Sequence, residues 1–309
     1  MLRILVRRLL AGLLVLWAAA TLTFLALHLL PGDPVTVQMA RSGASAAQIA
    51  QRRAALGWDD PLTTQYLRFL TRLLRGDLGR SWSDNRPVLQ VLADAVPATF
   101  ELAVAALALA LLIGGTMGTV AALRAGSRWD AGCMALALTG LSSPVAWSGL
   151  LGILLFSVWL GWLPASGREG PLSLVLPALT LGWTSAGSIA RMVRASLLEV
   201  LGQRYVTVAQ AKGLPWRQVF LRHVGTVALP PILTLLALQS GFLLGGTVIT
   251  ETIFGRPGLG RLALNAVLVH DLPLVQGIVL LGAAVYTLVN LLADLAQLWL
   301  DPRLREASW

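Results

Sequence analysis

Six stretches of this 309-residue chain are apolar enough and long enough to cross a hydrocarbon layer: about 9–30, 98–123, 132–161, 173–193, 228–250 and 274–299. Each comes near the ~20 residues a spanning helix needs. The third is long, and Pro144 inside it predicts a kink, because proline removes a backbone donor and crowds the preceding turn. Between the first two stretches, 31–97 is polar but patterned. LTTQYLRFLTRLL puts Leu62, Tyr66, Phe69, Leu70 and Leu73 on one helical face, and Gly76, Asp77 and Gly79 then end the periodicity. The pattern predicts an all-α membrane protein of six transmembrane helices. A helical cap on the extracytoplasmic side lies between the first and second, and a short cytoplasmic helix lies between the fourth and fifth. The chain divides into an anchor helix plus cap at 1–97 and a five-helix core at 98–309, with no internal repeat.

Composition agrees: 56% of residues are hydrophobic and only 13% charged. The net charge of +9 raises the question of nucleic acid, but long apolar runs separate the basic residues, so no solvated basic face forms and no nucleic-acid partner is expected. The charge is explained by topology. Arg3, Arg7 and Arg8 precede the first stretch, Arg124 and Arg128 follow the second, and Arg191, Arg194, Arg204, Lys212, Arg217 and Arg222 cluster after the fourth. Cytoplasmic loops collect such residues, so both termini are placed inside. The run from Leu9 to Leu30 exceeds the ~7–15 apolar residues of a cleaved signal and is read as a retained anchor. The single cysteine, Cys133, is read as a packing residue, and the dispersed histidines His28, His223 and His270 predict no metal site.

One cytoplasmic stretch is unusually punctuated. In YVTVAQAKGLPWRQVFLRH, Tyr205–His223, residues from Glu199 to Ala211 suit a helix, Gly213 suits a left-handed cap, and Pro215 suits the first turn of a second helix. Trp216, Val219, Phe220, His223 and Val224 then share a face. Ala209, Ala211 and Gly213 would let another backbone approach closely. The competing reading is a helix that rests on lipid headgroups. Within the spans, Gly114 with Gly118 and Gly241 with Gly245 have the spacing of close helix crossings, and Gly245, Gly246 and Thr247 form the gating candidate. Polar groups at membrane depth are costly and therefore informative. Asn290 and Asp294 are read as helix-packing groups; Ser142, Ser143, Gln239, Ser240 and Glu251, with Thr139, are pore candidates; Glu101 opens the second span. No nucleophile elbow, Walker loop or paired-carboxylate arrangement is present, so no catalysis is expected of this chain.

AQAKG followed by LRH and ALPPIL resembles the cytoplasmic loop of permease subunits of ABC importers. LPGDPV, LGWDDPLTTQYLRFL, GDLGRSW, RPV and PATFELA, with ETIFGRPGLGRLALNAVLVHDLPLVQG and NLLADLAQLWLDPRLR near the end, resemble the dipeptide, oligopeptide and nickel branch over nearly the whole chain. The resemblance implies a bacterial inner-membrane subunit that pairs with a second, homologous permease. It implies cargo received from an extracytoplasmic binding protein and drive from two cytoplasmic ATPases, which carry the ATP and magnesium; no cofactor is expected on this chain. It assigns the loop at about 199–224 to ATPase coupling, through Thr207, Ala209, Ala211, Lys212, Gly213, Leu214 and Pro215. The sequence departs from the general importer loop, with Thr207-Val208-Ala209 in place of Glu-Ala-Ala, and Gly213 stands farther from Leu229-Pro230 than in sugar importers. The expected cargo is short peptides, with nickel or a metal chelate as the alternative. A self-sufficient secondary transporter, the rival class, would favour intramembrane proton relays and inverted repeats.

Overall fold

The structure is a computed structural model that describes residues 2–29, 33–41 and 43–300. Thirteen α-helices are found among the described residues, and no β-strand. The anchor α1 (Leu2–Leu29) leads into three short helices, α2 (Pro34–Arg41), α3 (Ala46–Leu56) and α4 (Leu62–Leu74). The core contains α5 (Val88–Leu123), α6 (Arg128–Ser142), α7 (Val145–Gly152), α8 (Val175–Leu201), α9 (Arg204–Ala211), α10 (Trp216–Gln218), α11 (Thr226–Ile253), α12 (Leu259–Leu268) and α13 (Leu272–Leu300). The tail 301–309, part of the carboxy-terminal expectation, lies outside the described residues.

Five helices are long and apolar enough to cross a membrane, and the pair α6 and α7 makes a sixth if counted as one broken span. Here the structure corrects the sequence reading, because the two pieces meet at 102° and do not form one kinked helix. Ser143 is extended (φ −84°, ψ 120°), as a residue before proline prefers, and its hydroxyl donates to the Thr139 carbonyl, which ends α6. α7 then continues as a π-helical turn over Ile153–Trp159. α5 also begins earlier than expected, at Val88. Its 36 residues, at ~1.5 Å each, exceed the hydrocarbon thickness, so its first turns stand clear of it.

The core is built around α8, whose buried face includes Gly182, Thr184, Ser185, Ala186, Gly187 and Ala190. Small residues let neighbouring backbones come close. A Cβ placed on Gly114 would stand 2.5 Å from the Ala186 carbonyl oxygen, and one on Gly118 would stand 2.5 Å from that of Ala190. The spacing expected of Gly114 and Gly118 is therefore the α5–α8 crossing. Gly241 instead makes room for a side chain, the Tyr286 ring of α13. The surroundings of Gly245 and Gly246 lie outside the described residues.

These pairings sort the loops onto two ends. α5 and α8 run parallel, with Gly114 beside Ala186 and Gly118 beside Ala190. The Leu123 and Leu201 ends therefore lie together with α9, and Asp130 meets Arg194 there. Arg8 meets Asp294 near the far end of α13. At the other end, Glu251 meets Thr99, and Asp271 meets Ser81.

Candidate functional site

The stretch Tyr205–His223 forms a shelf. α8 ends at Leu201 and the chain turns through Gly202 and Gln203 before α9 starts, so the helix expected from Glu199 to Ala211 is two helices. Lys212 caps α9, and Gly213 follows at φ +74°, the left-handed conformation its position predicted. Pro215 stands one place earlier than expected, just before the first turn at Trp216. Val219–Gly225 forms a π-helical turn that runs directly into α11.

The shelf has two faces with different surroundings. Val206 and Ala209 point inward and join Val219, Val224, Ala228 and Ile232 in a cluster with Val193, Leu197 and Val200 of α8. Ser196 adds a 2.8 Å hydrogen bond to the Ala228 carbonyl, which fastens α8 to α11 just above the shelf. Of the small residues expected to receive a partner backbone, Ala209 is thus occupied by this packing. Thr207, Ala211, Lys212, Gly213 and Pro215 are exposed, and Leu214 is half-buried. Tyr205, Val208 and Trp216 are exposed beside them, at 41%, 52% and 44%. No atom comes within 4 Å of the position a Cβ would take on Gly213. A load on this outer face would pass through the cluster to α8 and α11 together, because both helices are packed into it.

The shelf is also braced against the α5–α6 connection. Arg194 Nε and Nη2 donate to Asp130 Oδ1 and Oδ2 at 2.6 and 2.7 Å, and the Gly126 N–H adds a third donor at 3.0 Å. In the sequence Arg194 serves only as a topology marker, and Asp130 is not among the candidates. The available signal was an acid in the first turn of a helix with a serine N-cap, Ser127, beside a basic loop.

The polar candidates within the spans take several places. Ser142 and Ser143 lie at the sharp α6–α7 break. Gln239 is buried, with its amide 3.5 Å from the Ser185 carbonyl, and Ser240 donates to Ala237. Thr247 is buried. The Asn290 amide donates to the Tyr286 carbonyl one turn back, and Asp294 forms a 2.8 Å ion pair with Arg8 that joins α13 to α1.

Glu251 is fully buried at the opposite end of the molecule from the shelf. It accepts from Thr99 Oγ1 at 2.6 Å, Gly260 N–H at 2.8 Å and Arg261 N–H at 3.1 Å. The two backbone donors belong to the first turn of α12, where partial positive charge gathers. A Cβ on Gly258 would overlap the Glu251 carboxylate, so the Pro257-Gly258-Leu259-Gly260 run makes room for the acid. Nearby, the buried Arg256 stands 3.4 Å from Glu101, which Arg168 grips with two donors. The carboxylate holds the Arg168 guanidinium above its ordinary range. Asp271, also fully buried, accepts from Ser81 Oγ, Ser83 Oγ and the Trp82 and Ser83 N–H groups, tying the loop before α5 to the start of α13.

The chain matches two family models: the binding-protein-dependent transport system inner membrane component over residues 114–306, and the amino-terminal part of such a membrane component over 1–103. It is 42% identical to the glutathione transport system permease protein GsiC of Pectobacterium atrosepticum, with 99% of each chain covered. It is 39% identical to the dipeptide transport system permease protein DppB of Escherichia coli, covering 92% of this chain and 93% of that one. Among solved structures, an inward-facing MetNI methionine ABC transporter superposes with a TM-score of 0.56 at 20% identity, over 69% of this chain and 97% of that one, which is a likeness of fold.

Proposed function

The chain belongs to the family of inner-membrane components of binding-protein-dependent transport systems, and from that premise we propose that it supplies half of a translocation path for short peptides. In this reading a homologous permease supplies the other half, a binding protein delivers cargo at the cap end, and two ATPases act on the shelf from the cytoplasm. Both termini are then cytoplasmic, since the Arg8–Asp294 pair and the shelf share one end and the basic residues gather there. ATP binding and hydrolysis belong to the ATPases, and this chain contributes no catalytic group.

The observation that carries the reading is the two-faced shelf. Its inner face is locked to α8 and α11, while its outer face presents an open left-handed glycine among exposed apolar side chains. Such a contact can bias a bistable pair of helix packings when the partner moves. Peptide cargo is supported by full-length likeness to permeases named for a dipeptide and for glutathione, itself a tripeptide. Among the described residues no three His, Cys, Asp or Glu side chains gather as a metal would need, which gives bare nickel no ligand set here.

The test is a reconstituted transporter with its binding protein and ATPases. Gly213→Val places a β-branched residue in a left-handed conformation. We expect the variant to insert and assemble, while binding-protein-stimulated ATP hydrolysis and tripeptide uptake fall together by at least about tenfold. Unchanged stimulation would return the shelf to the role of a lipid-surface helix. Uptake of nickel with no uptake of any peptide by the unaltered transporter would overturn the cargo assignment alone.

A further inference from the structure

Beneath the cap lies a cavity of about 460 Å³, within the ~300–1,000 Å³ typical of small-ligand sites. Its floor is formed by Phe24 and His28 of α1 and by Pro273, Gly277 and Leu280 of α13, and α3 and α4 form its walls and roof. The apolar window of α1 ends at Ala26 and that of α13 begins at Leu272, so the floor lies where both spans leave the hydrocarbon. These two spans are lightly packed, with only 17% and 22% of their apolar windows buried. Much of their apolar surface is therefore left uncovered by this chain up to the cavity's level.

The wall is cationic. Arg52, Arg68, Arg72 and Arg80 line it against one acid, Asp77, whose carboxylate is engaged by the Gly79 N–H. Arg68 pairs with Asp60 and Arg80 donates to the Asn85 carbonyl, whereas the guanidinium groups of Arg52 and Arg72 have no partner among the described residues. Trp58, stacked on His28, completes the wall with the amphipathic ring favoured at headgroup depth. Unpaired guanidinium groups above an apolar floor at the membrane boundary match the phosphate and upper acyl chains of one amphiphile. We propose that this cavity holds an anionic phospholipid, its phosphate between Arg52 and Arg72 and its glycerol and upper chains against Phe24, Phe69 and Leu280. The lipid would wedge the cap against α1 and α13; the cap is otherwise held to α1 on this side by contacts such as Tyr66 with Thr21.

The experiment is native mass spectrometry of the assembled transporter in a non-ionic detergent with phosphatidylglycerol or phosphatidylcholine. The unaltered protein should retain one phosphatidylglycerol in preference to phosphatidylcholine. Arg52→Gln/Arg72→Gln should lose that preference by roughly fivefold for each arginine removed. Both side chains are exposed and unpaired, so the variant should assemble. As a second readout, brominated phosphatidylglycerol should quench the unaltered protein more than Trp58→Phe, and equal quenching would count against the site. Equal retention by the unaltered and double-variant proteins, or equal retention of the two lipids, would overturn the proposal. So would displacement of the lipid by free glycerol phosphate, which would make the site one for soluble phosphate, or by trialanine, which would make it a cargo site. The readout is independent of ATP hydrolysis and uptake, so its failure and that of the coupling assignment are separable.

Discussion

A carboxylate with no water around it costs several kcal/mol unless its lone pairs are answered. Glu251 is answered by one hydroxyl and two backbone N–H groups, with Arg256 close by. The sequence marks it as a pore candidate; in the folded chain its oxygens are engaged in holding α11, α5 and α12 together. Removing the carboxylate strands those donors. Glu251→Ala should therefore destabilise the protein by about 3–5 kcal/mol, seen as earlier thermal unfolding in detergent and less assembled complex. Glu251→Gln keeps one acceptor and should lose less. An alanine variant as stable as the unaltered protein would show that the acid does not fasten this end.

At the scale of the element, the sequence was most legible where function of position depends on size alone. Gly114 and Gly118 announce a close crossing because nothing larger fits between two backbones, and the crossing with α8 is found. Gly114→Val should push its side chain into the Ala186 carbonyl and the Ile189 side chain, and overpacking of this kind costs about 1–3 kcal/mol. Backbone lies on both sides, so the loss belongs at the upper end, whereas Gly115→Val, which meets nothing within 4 Å, should be tolerated. Equal effects of the two substitutions on thermal stability would contradict the packing account. The left-handed turn at Gly213 was legible for a similar local reason. What could not be read was which partners meet across the chain. Asp130 with Arg194 lies 64 residues apart, and each alone looks like an ordinary loop charge. The 102° break was half legible, since Pro144 predicts disruption but the angle is set by what α7 packs against, including Phe254 and Thr180 beside Gly149.

At the scale of the whole molecule, the cap must stay in register with the core if a binding protein is to hand over cargo at that end. Much of that registration runs through Asp271, whose carboxylate gathers donors from Ser81, Trp82 and Ser83 across 188 to 190 positions of sequence. The contact is not legible in the sequence because nothing local links Ser81–Ser83 to Asp271, and only the fold brings them together. Asp271→Ala would leave at least two backbone donors unsatisfied, each worth about 1–3 kcal/mol where it is buried. That is enough to free the loop before α5 without unfolding α5 or α13, whose apolar faces still pack through Val88, Leu92 and Leu274. The expected outcome is faster proteolysis within 75–87, with the spans still protected and the protein still inserted. ATP hydrolysis in the absence of the binding protein should stay near its original rate, because the shelf lies at the other end. Stimulation by the binding protein should fall severalfold. Unaltered proteolysis of the loop would show that the cap is held by other contacts, and loss of the basal rate as well would show that the two ends are not mechanically separable.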